Sequence, residues 1–563
     1  FLGTGAPQAA ETWERVRARL DARASDWVAK HTEVCEATRV TQSQPEATMA
    51  ARMSCLSSQR LDLRAAVDVL ASADSTRVGN AVALVESLPD PARCDDVEAL
   101  KAEISPPDDA QVAAEVEAQR ERLAEARALR LAGDYRSAAA IADAAVARAE
   151  VLGYGPLQAE ALLRRGQARG NRDEPEQAVG DLEQAYLLAV EHELERAELE
   201  AVSELVYVVG HQQGHYERAR QWASLALALA RRRRTNPRAR ADALHAIGVV
   251  LVDQNELEPA LAHLDEALEL QQRAPRPAYT DIATLLQLIG IVRMRQDRLD
   301  EALEHQEHAL ALREQASGPR HPSVAMALTN LAEVQRRMGR LQEALDLHRR
   351  ALAIFTDALG PRHSHVAIAE SNIGMLLDLQ GHHAAALDHH RTALAIREAL
   401  LGPRHPEVAI ALGNLAVLLQ SQGKHEEALP SLLRALEIQR DALGPEHPEL
   451  AAMSSNIGIS LSALGRHEEA LVHHRHALAI AEAALGPDHS TVGLVLINLG
   501  DALVGHGELQ AAWDAYQRAL AITEVATGPE HPMVAYALVG LAETEVRESR
   551  ERVRAALLEH RFG

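Results

Sequence analysis

Apolar residues return along this chain with the spacing of amphipathic helices almost from end to end. Between Thr12 and Thr38 they fall at Trp13, Val16, Leu20, Trp27, Val34 and Cys35, which predicts one long helix. A second helix follows Pro45, carrying Met49, Met53, Leu56, Leu63, Val67 and Leu70. A third is expected to be capped by Asp74 and to stop before Pro89 and Pro91, and a short one follows Cys94. The run Ser105-Pro106-Pro107-Asp108-Asp109 then breaks the chain and caps the next helix. This first part is helical without being periodic.

From about Ala118 the pattern becomes periodic. An Ala recurs at Ala138, Ala178, Ala219, Ala260, Ala302, Ala344, Ala386, Ala428, Ala470 and Ala512, and a second Ala stands seven residues after each. Five residues before the first Ala comes a turn former, among them Gly133, Asp173, Gly214, Asn255, Asp297, Gly339 and Gly423. Twelve before it the residue is usually Gly or Ala. Gly-Pro-x-His begins at Gly318, Gly360, Gly402, Gly444, Gly486 and Gly528, 42 residues apart. The pattern predicts ten helix-turn-helix units. Each unit alone cannot bury its apolar face, so the units must stack into a solenoid.

Physical chemistry accounts for the fixed residues. Small side chains let two helix axes approach closely. The central Gly takes the left-handed conformation that ends a first helix. Gly-Pro ends the second helix, and a Pro after the His, as at Pro322 or Pro406, suits a first helical position. Three segments follow: a helical N-terminal module at 1–107, the array at 108–547 and a capping helix at 548–563. The fold class is all-α.

Composition narrows the function. The chain carries 58 basic and 81 acidic residues, a net charge of −23, which disfavours nucleic-acid backbones and anionic membranes as partners. No apolar run approaches the roughly 18 residues of a membrane span. The chain opens on Phe1 without a signal-peptide pattern, and reads as a fragment or processed product lacking its upstream sequence. Cys35 and Cys55 differ in helical depth by roughly 7 Å, too much for a bridge between them. Cys35, Cys55 and Cys94 are therefore expected as buried free thiols.

The spacing of small residues is similar to that of tetratricopeptide (TPR) repeats, and Leu443 to Pro448, Leu-Gly-Pro-x-His-Pro, resembles the longer kinesin-light-chain variety. The resemblance implies a right-handed superhelix whose first helices line a concave face that holds partner peptides. The N-terminal part resembles the segment that follows the catalytic domain in bacterial Ser/Thr protein kinases. Trp27, Val34-Cys35, Arg52-Met53-x-Cys55-Leu56, Ala73-Asp74, Leu88-Pro89 and Cys94-x-Asp96 carry that likeness, with Gly153-Tyr154-x-Pro156-Leu157 in the array. No Val-Ala-x-Lys, His-Arg-Asp or Asp-Phe-Gly is present, so no catalytic residue is assigned and no enzyme is expected in these residues.

The candidate site is a series of amides: Asn330, Asn372, Asn414, Asn456 and Asn498, each two residues before the small residue of a first helix. The resemblance places that position in the groove, where an amide can pair with a peptide's N–H and C=O together. The competing reading is an inter-repeat bond that stiffens the stack. Arg336 and Arg337 have no cationic counterparts in later units, which argues against a clamp for a terminal carboxylate.

Of the 27 histidines, His321, His363, His405, His447, His489 and His531 precede first helices and are expected to cap them. His305 with His308, and His473 with His476, supply only two ligands each, so no metal or other cofactor is expected. The basic run Arg231 to Arg234, with Arg238 and Arg240, reads as cations favoured at a helix C-terminus. The expected function is a scaffold for a protein or peptide partner, the non-catalytic C-terminal region of a Ser/Thr kinase, or alternatively a stand-alone regulatory adaptor.

Overall fold

A computed structural model describes residues 1–95, 107, 109–172, 174–232, 237–274, 276–528 and 531–562. The short helix expected after Cys94, most of the break before Asp109, the turn residue Asp173, the last Gly-Pro proline and Arg233–Arg234 lie outside them. The described residues are helical, without strands, and divide into two compact bodies, 1–360 and 361–563.

In the first body α1 (Ala9–Arg39), α2 (Glu46–Ala71) and α3 (Ser75–Glu86) precede six helix pairs. These are α4–α5 (Ala110–Leu131, Tyr135–Leu152), α6–α7 (Gly155–Gly170, Pro175–Glu191), α8–α9 (Glu195–Tyr207, Tyr216–Arg232), α10–α11 (Pro237–Asp253, Leu257–Gln272), α12–α13 (Tyr279–Arg295, Leu299–Ser317) and α14–α15 (Pro322–Arg337, Leu341–Leu359). The second body holds α16–α17 (Ser364–Leu379, His383–Leu401), α18–α19 (Pro406–Ser421, His425–Leu443), α20–α21 (Glu449–Ala463, His467–Leu485), α22–α23 (Ser490–His506, Leu509–Thr527) and α24 (Pro532–Phe562). Residues 548–562, expected as a separate capping helix, are the second half of α24. No Pro follows Pro532 and the last Gly before residue 563 is Gly540, so nothing in the sequence stops the helix at 548.

The repeated residues do the jobs that the pattern assigns them. Ala428 and Ala435, like the equivalent Ala pairs elsewhere, are fully buried. Gly374 lies under the His390 ring and Gly458 under His474, so that a Cβ at either would stand within 3 Å of the ring. Gly402 ends α17 at φ 85°, ψ 161°, a region that only glycine enters readily, so Gly-Pro and not Pro alone is required there. All six predicted His caps form: Nδ1 of His321, His363, His405, His447, His489 and His531 accepts from the backbone N–H two residues on, at 3.1–3.4 Å.

Ala428→Leu should cost about 1–3 kcal/mol, because added methylenes have no void to enter. Coupling in a stack is between neighbours, so hydrogen exchange should rise mainly in α18 to α21. A uniform rise across the second body would contradict this.

The cysteines differ from expectation. Cys55 and Cys94 form a disulfide, with Cα atoms 5.8 Å apart, and Cys35 is exposed. Helical depth separates Cys35 from Cys55, whereas the 3-10 turn Pro91–Asp95 packs against α2 and brings Cys94 to Cys55. Arg52 pins that turn, donating to the Cys94 carbonyl at 3.2 Å and pairing with Asp95 and Glu33.

Candidate peptide-binding face

In the second body the first helices of successive pairs lie side by side. Gln420 of α18 donates to the Asn456 carbonyl of α20 at 2.7 Å and to Ser460 Oγ at 2.8 Å. Asn498 of α22 donates through Nδ2 to Ser455 Oγ of α20 at 3.0 Å.

Within that row the asparagines are not equivalent. Asn414 is exposed, and Asn372 and Asn456 are half-buried. Among the described residues none of these three side chains has a hydrogen-bond partner. Asn498 is also half-buried, and its amide makes an inter-repeat bond. Asn330 lies in the first body, on α14, half-buried.

The same helices expose apolar side chains that sequence reasoning missed. Ile368, Met375 and Leu379 flank Asn372 at spacings of four, three and seven residues, on one helical face. Ile410 and Val417 flank Asn414, and Leu494 precedes Asn498. The legible signal was apolar residues at fixed offsets from each Asn, beyond those that packing consumes. No Lys or Arg occurs in α16, α18, α20 or α22. Their acids are largely engaged: Glu370 meets His389 Nδ1 at 2.5 Å, Asp378 meets His383 Nδ1 at 2.6 Å, and Asp501 accepts from the Tyr516 hydroxyl at 2.5 Å. Burial pushes the Asp501 carboxyl up despite that bond. The face is amide and apolar, almost free of unpaired charge.

The first helices of the first body are charged instead. Arg164 pairs with Glu200 at 2.9 Å, and Arg196 with the same carboxylate at 2.7 Å. Burial alone would raise Glu200, but Arg164, Arg196 and Arg127 hold it well below the usual range. The basic residues beyond the undescribed arginines are also engaged: Arg238 pairs with Asp281 at 2.9 Å and Arg240 with Glu266. Arg336 is bound to Glu333, and Arg337 donates to the Met294 carbonyl. Among the described residues no three His, Cys, Asp or Glu side chains converge as a metal site would need. No described helix is long and apolar enough to cross a membrane.

A family model of the tetratricopeptide repeat matches residues 281–357, 325–399, 365–441, 407–483 and 449–524, and a second matches 240–274. The chain thus carries tetratricopeptide repeats in an all-helical solenoid. No curated protein matches it. Among solved structures it is similar to BtubC (BKLC) from P. vanneervenii, at 23% identity over 41% of this chain and 92% of that one, TM-score 0.37. It is similar to a Podosopora anserina protein described as a kinesin light chain with nearly identical TPR-like repeats, at 24% identity over 36% and 97%, TM-score 0.34. The apo form of RapI matches at 14% identity over 65% and 98%, TM-score 0.48.

Proposed function

We propose that the chain is a recruitment scaffold whose second body binds an extended polypeptide along α16, α18, α20 and α22. The observation that carries this is the row of unpartnered amides, Asn372, Asn414 and Asn456, interleaved with exposed Ile368, Met375, Ile410 and Val417. Amides pair with any peptide backbone, and the apolar flanks select side chains. Tetratricopeptide repeats generally hold protein partners, which supports the reading. On the motifs around Trp27, Arg52 and Cys94, the parent protein is a bacterial Ser/Thr kinase, and this region holds substrates or regulators near a catalytic domain outside the chain. Holding them there raises their effective concentration. The stand-alone adaptor is the alternative, and reading the codons upstream of Phe1 separates the two.

The binding test is charge placed on the face. Ile410→Glu with Val417→Glu should abolish co-purification of the polypeptides that the wild-type protein retains from its native cell extract. Leu433→Glu, on the exposed side of a second helix, should leave it intact. If only Leu433→Glu abolishes retention, the binding surface is the second-helix face. The scaffold role also predicts no ATP binding at micromolar concentrations and no phosphate transfer by the purified chain, measured by titration calorimetry and with labelled ATP.

A further inference from the structure

The N-terminal module does not merely stack on the end of the array. At one end α3 meets the first pair: Arg77 binds Asp134 at 2.9 Å, and Asn80 donates to the Ala132 carbonyl at 3.2 Å. At its other end it meets the fourth and fifth pairs. Glu86 Oε2 accepts from the Thr280 backbone N–H at 3.1 Å and from its hydroxyl at 2.7 Å, capping α12. The Glu86 carbonyl accepts from Arg238 at 3.1 Å, at the start of α10. Arg19 of α1 holds the second carboxylate oxygen at 3.3 Å, and the Glu86 side chain is 8% exposed.

Helix α1 extends the contact. Val16 is fully buried in one apolar cluster with Ala316 of α13 and Tyr279 of α12, Arg15 donates to the Gln315 carbonyl at 3.4 Å, and Asp26 pairs with Arg276.

A twelve-residue helix is about 18 Å long, and α3 is one. Pairs stacked about 10 Å apart in a straight row would put the first and fifth about 40 Å apart. A bridge by α3 requires the first five pairs to curl round it, so α1 and α3 lie on the inner, concave side. We infer that the module is an internal occupant of the concave face of the first body. Glu86 is its latch, and that half is closed to an external ligand until α1 and α3 lift. The reading concerns the first body alone and stands without the peptide-binding role proposed for the second. The partner chemistry this surface fits is a helix ending on a carboxylate that can cap α12, with a small apolar face against Ala316.

The test uses the full chain with Cys35→Ala and Ala316→Cys, which places a thiol under α1. Maleimide labelling of that thiol should be slow in this background and at least tenfold faster when Glu86→Ala is added. Glu86→Gln keeps an acceptor for Thr280 but loses Arg19, and should give an intermediate rate. Hydrogen exchange should rise together in α1, α3 and the first turn of α12, while α7–α9 stay protected. Unchanged labelling in both variants overturns the inference, as does a rise confined to the first turn of α12, which would make Glu86 a helix cap only. If Glu86→Ala unfolds the body by circular dichroism, Glu86→Gln decides: faster labelling in a folded protein supports the latch, and an unchanged rate sinks it.

Discussion

Lowering the pH from about 7.5 to about 5 should destabilise the second body by about 2 kcal/mol through His474 alone. The ring is 1% exposed against Gly458, and burial pushes it from its ordinary value down to about 4. Its Nδ1 is buried without a partner, which suits a neutral ring and no other. The unfolded chain takes up a proton near pH 6.5, before the folded one does, so stability is full above that value and falls as pH drops toward 4. His390, buried against Gly374 and likewise lowered by burial, acts in the same direction. His348 and His321 are also pushed to about 4 in the first body. There the effect is opposed, because burial raises Glu204.

The cleanest measurement is therefore a difference. Gln306 occupies the equivalent place over Gly290 and bonds to the Gln287 carbonyl at 3.0 Å, so Gln fits this kind of site without titrating. Urea melts of wild type and His474→Gln should diverge below about pH 6.5, with the variant losing about 2 kcal/mol less by about pH 5. Parallel curves over that range would show that the folded ring protonates freely.

What could be read beforehand divides along the range of the interaction. The helix pairs, their ends and the His caps were legible because each depends on residues a few positions apart: Gly402 before Pro403, His405 before Glu407, Ala428 seven before Ala435. The Cys55–Cys94 bond was not, since it depends on where the Pro91–Asp95 turn lands and no helical offset measures that. The Glu86–Thr280 contact spans 194 positions and arises from the curvature of the first five pairs summed, a quantity carried by no single residue. The candidate face was half legible. Period identified the asparagines, but only neighbours in space separate Asn498, spent on Ser455, from Asn414, which is open. The apolar flanks went unread because Ile410 and Val417 look like core residues until the core is seen to be complete without them.

That separation selects the substitutions that matter most for function. Changing Asn372, Asn414 and Asn456 together to Ala should weaken partner binding by about 3 kcal/mol, roughly a hundredfold in Kd. The estimate takes about 1 kcal/mol for each amide that loses its bonds to a ligand backbone. With first helices about 10 Å apart and an extended peptide advancing about 3.3 Å per residue, each amide meets about every third ligand residue. Three consecutive rungs therefore act on one segment. Asn330 is left out because it belongs to the other body, and Asn498 because removing it would strip the Ser455 bond as well. The bond from Gln420 reaches the Asn456 backbone carbonyl, which alanine retains. Alanine is also a better helix former than asparagine by about half a kcal/mol per site, so the variant should melt no lower than wild type. Binding measured by calorimetry against the co-purified partner, beside thermal melts of both proteins, distinguishes the roles. A large loss of affinity with melting unchanged or raised assigns the amides to the ligand. Unchanged affinity, or a loss that follows a fall in melting temperature, makes them struts between repeats and leaves recognition to the apolar flanks.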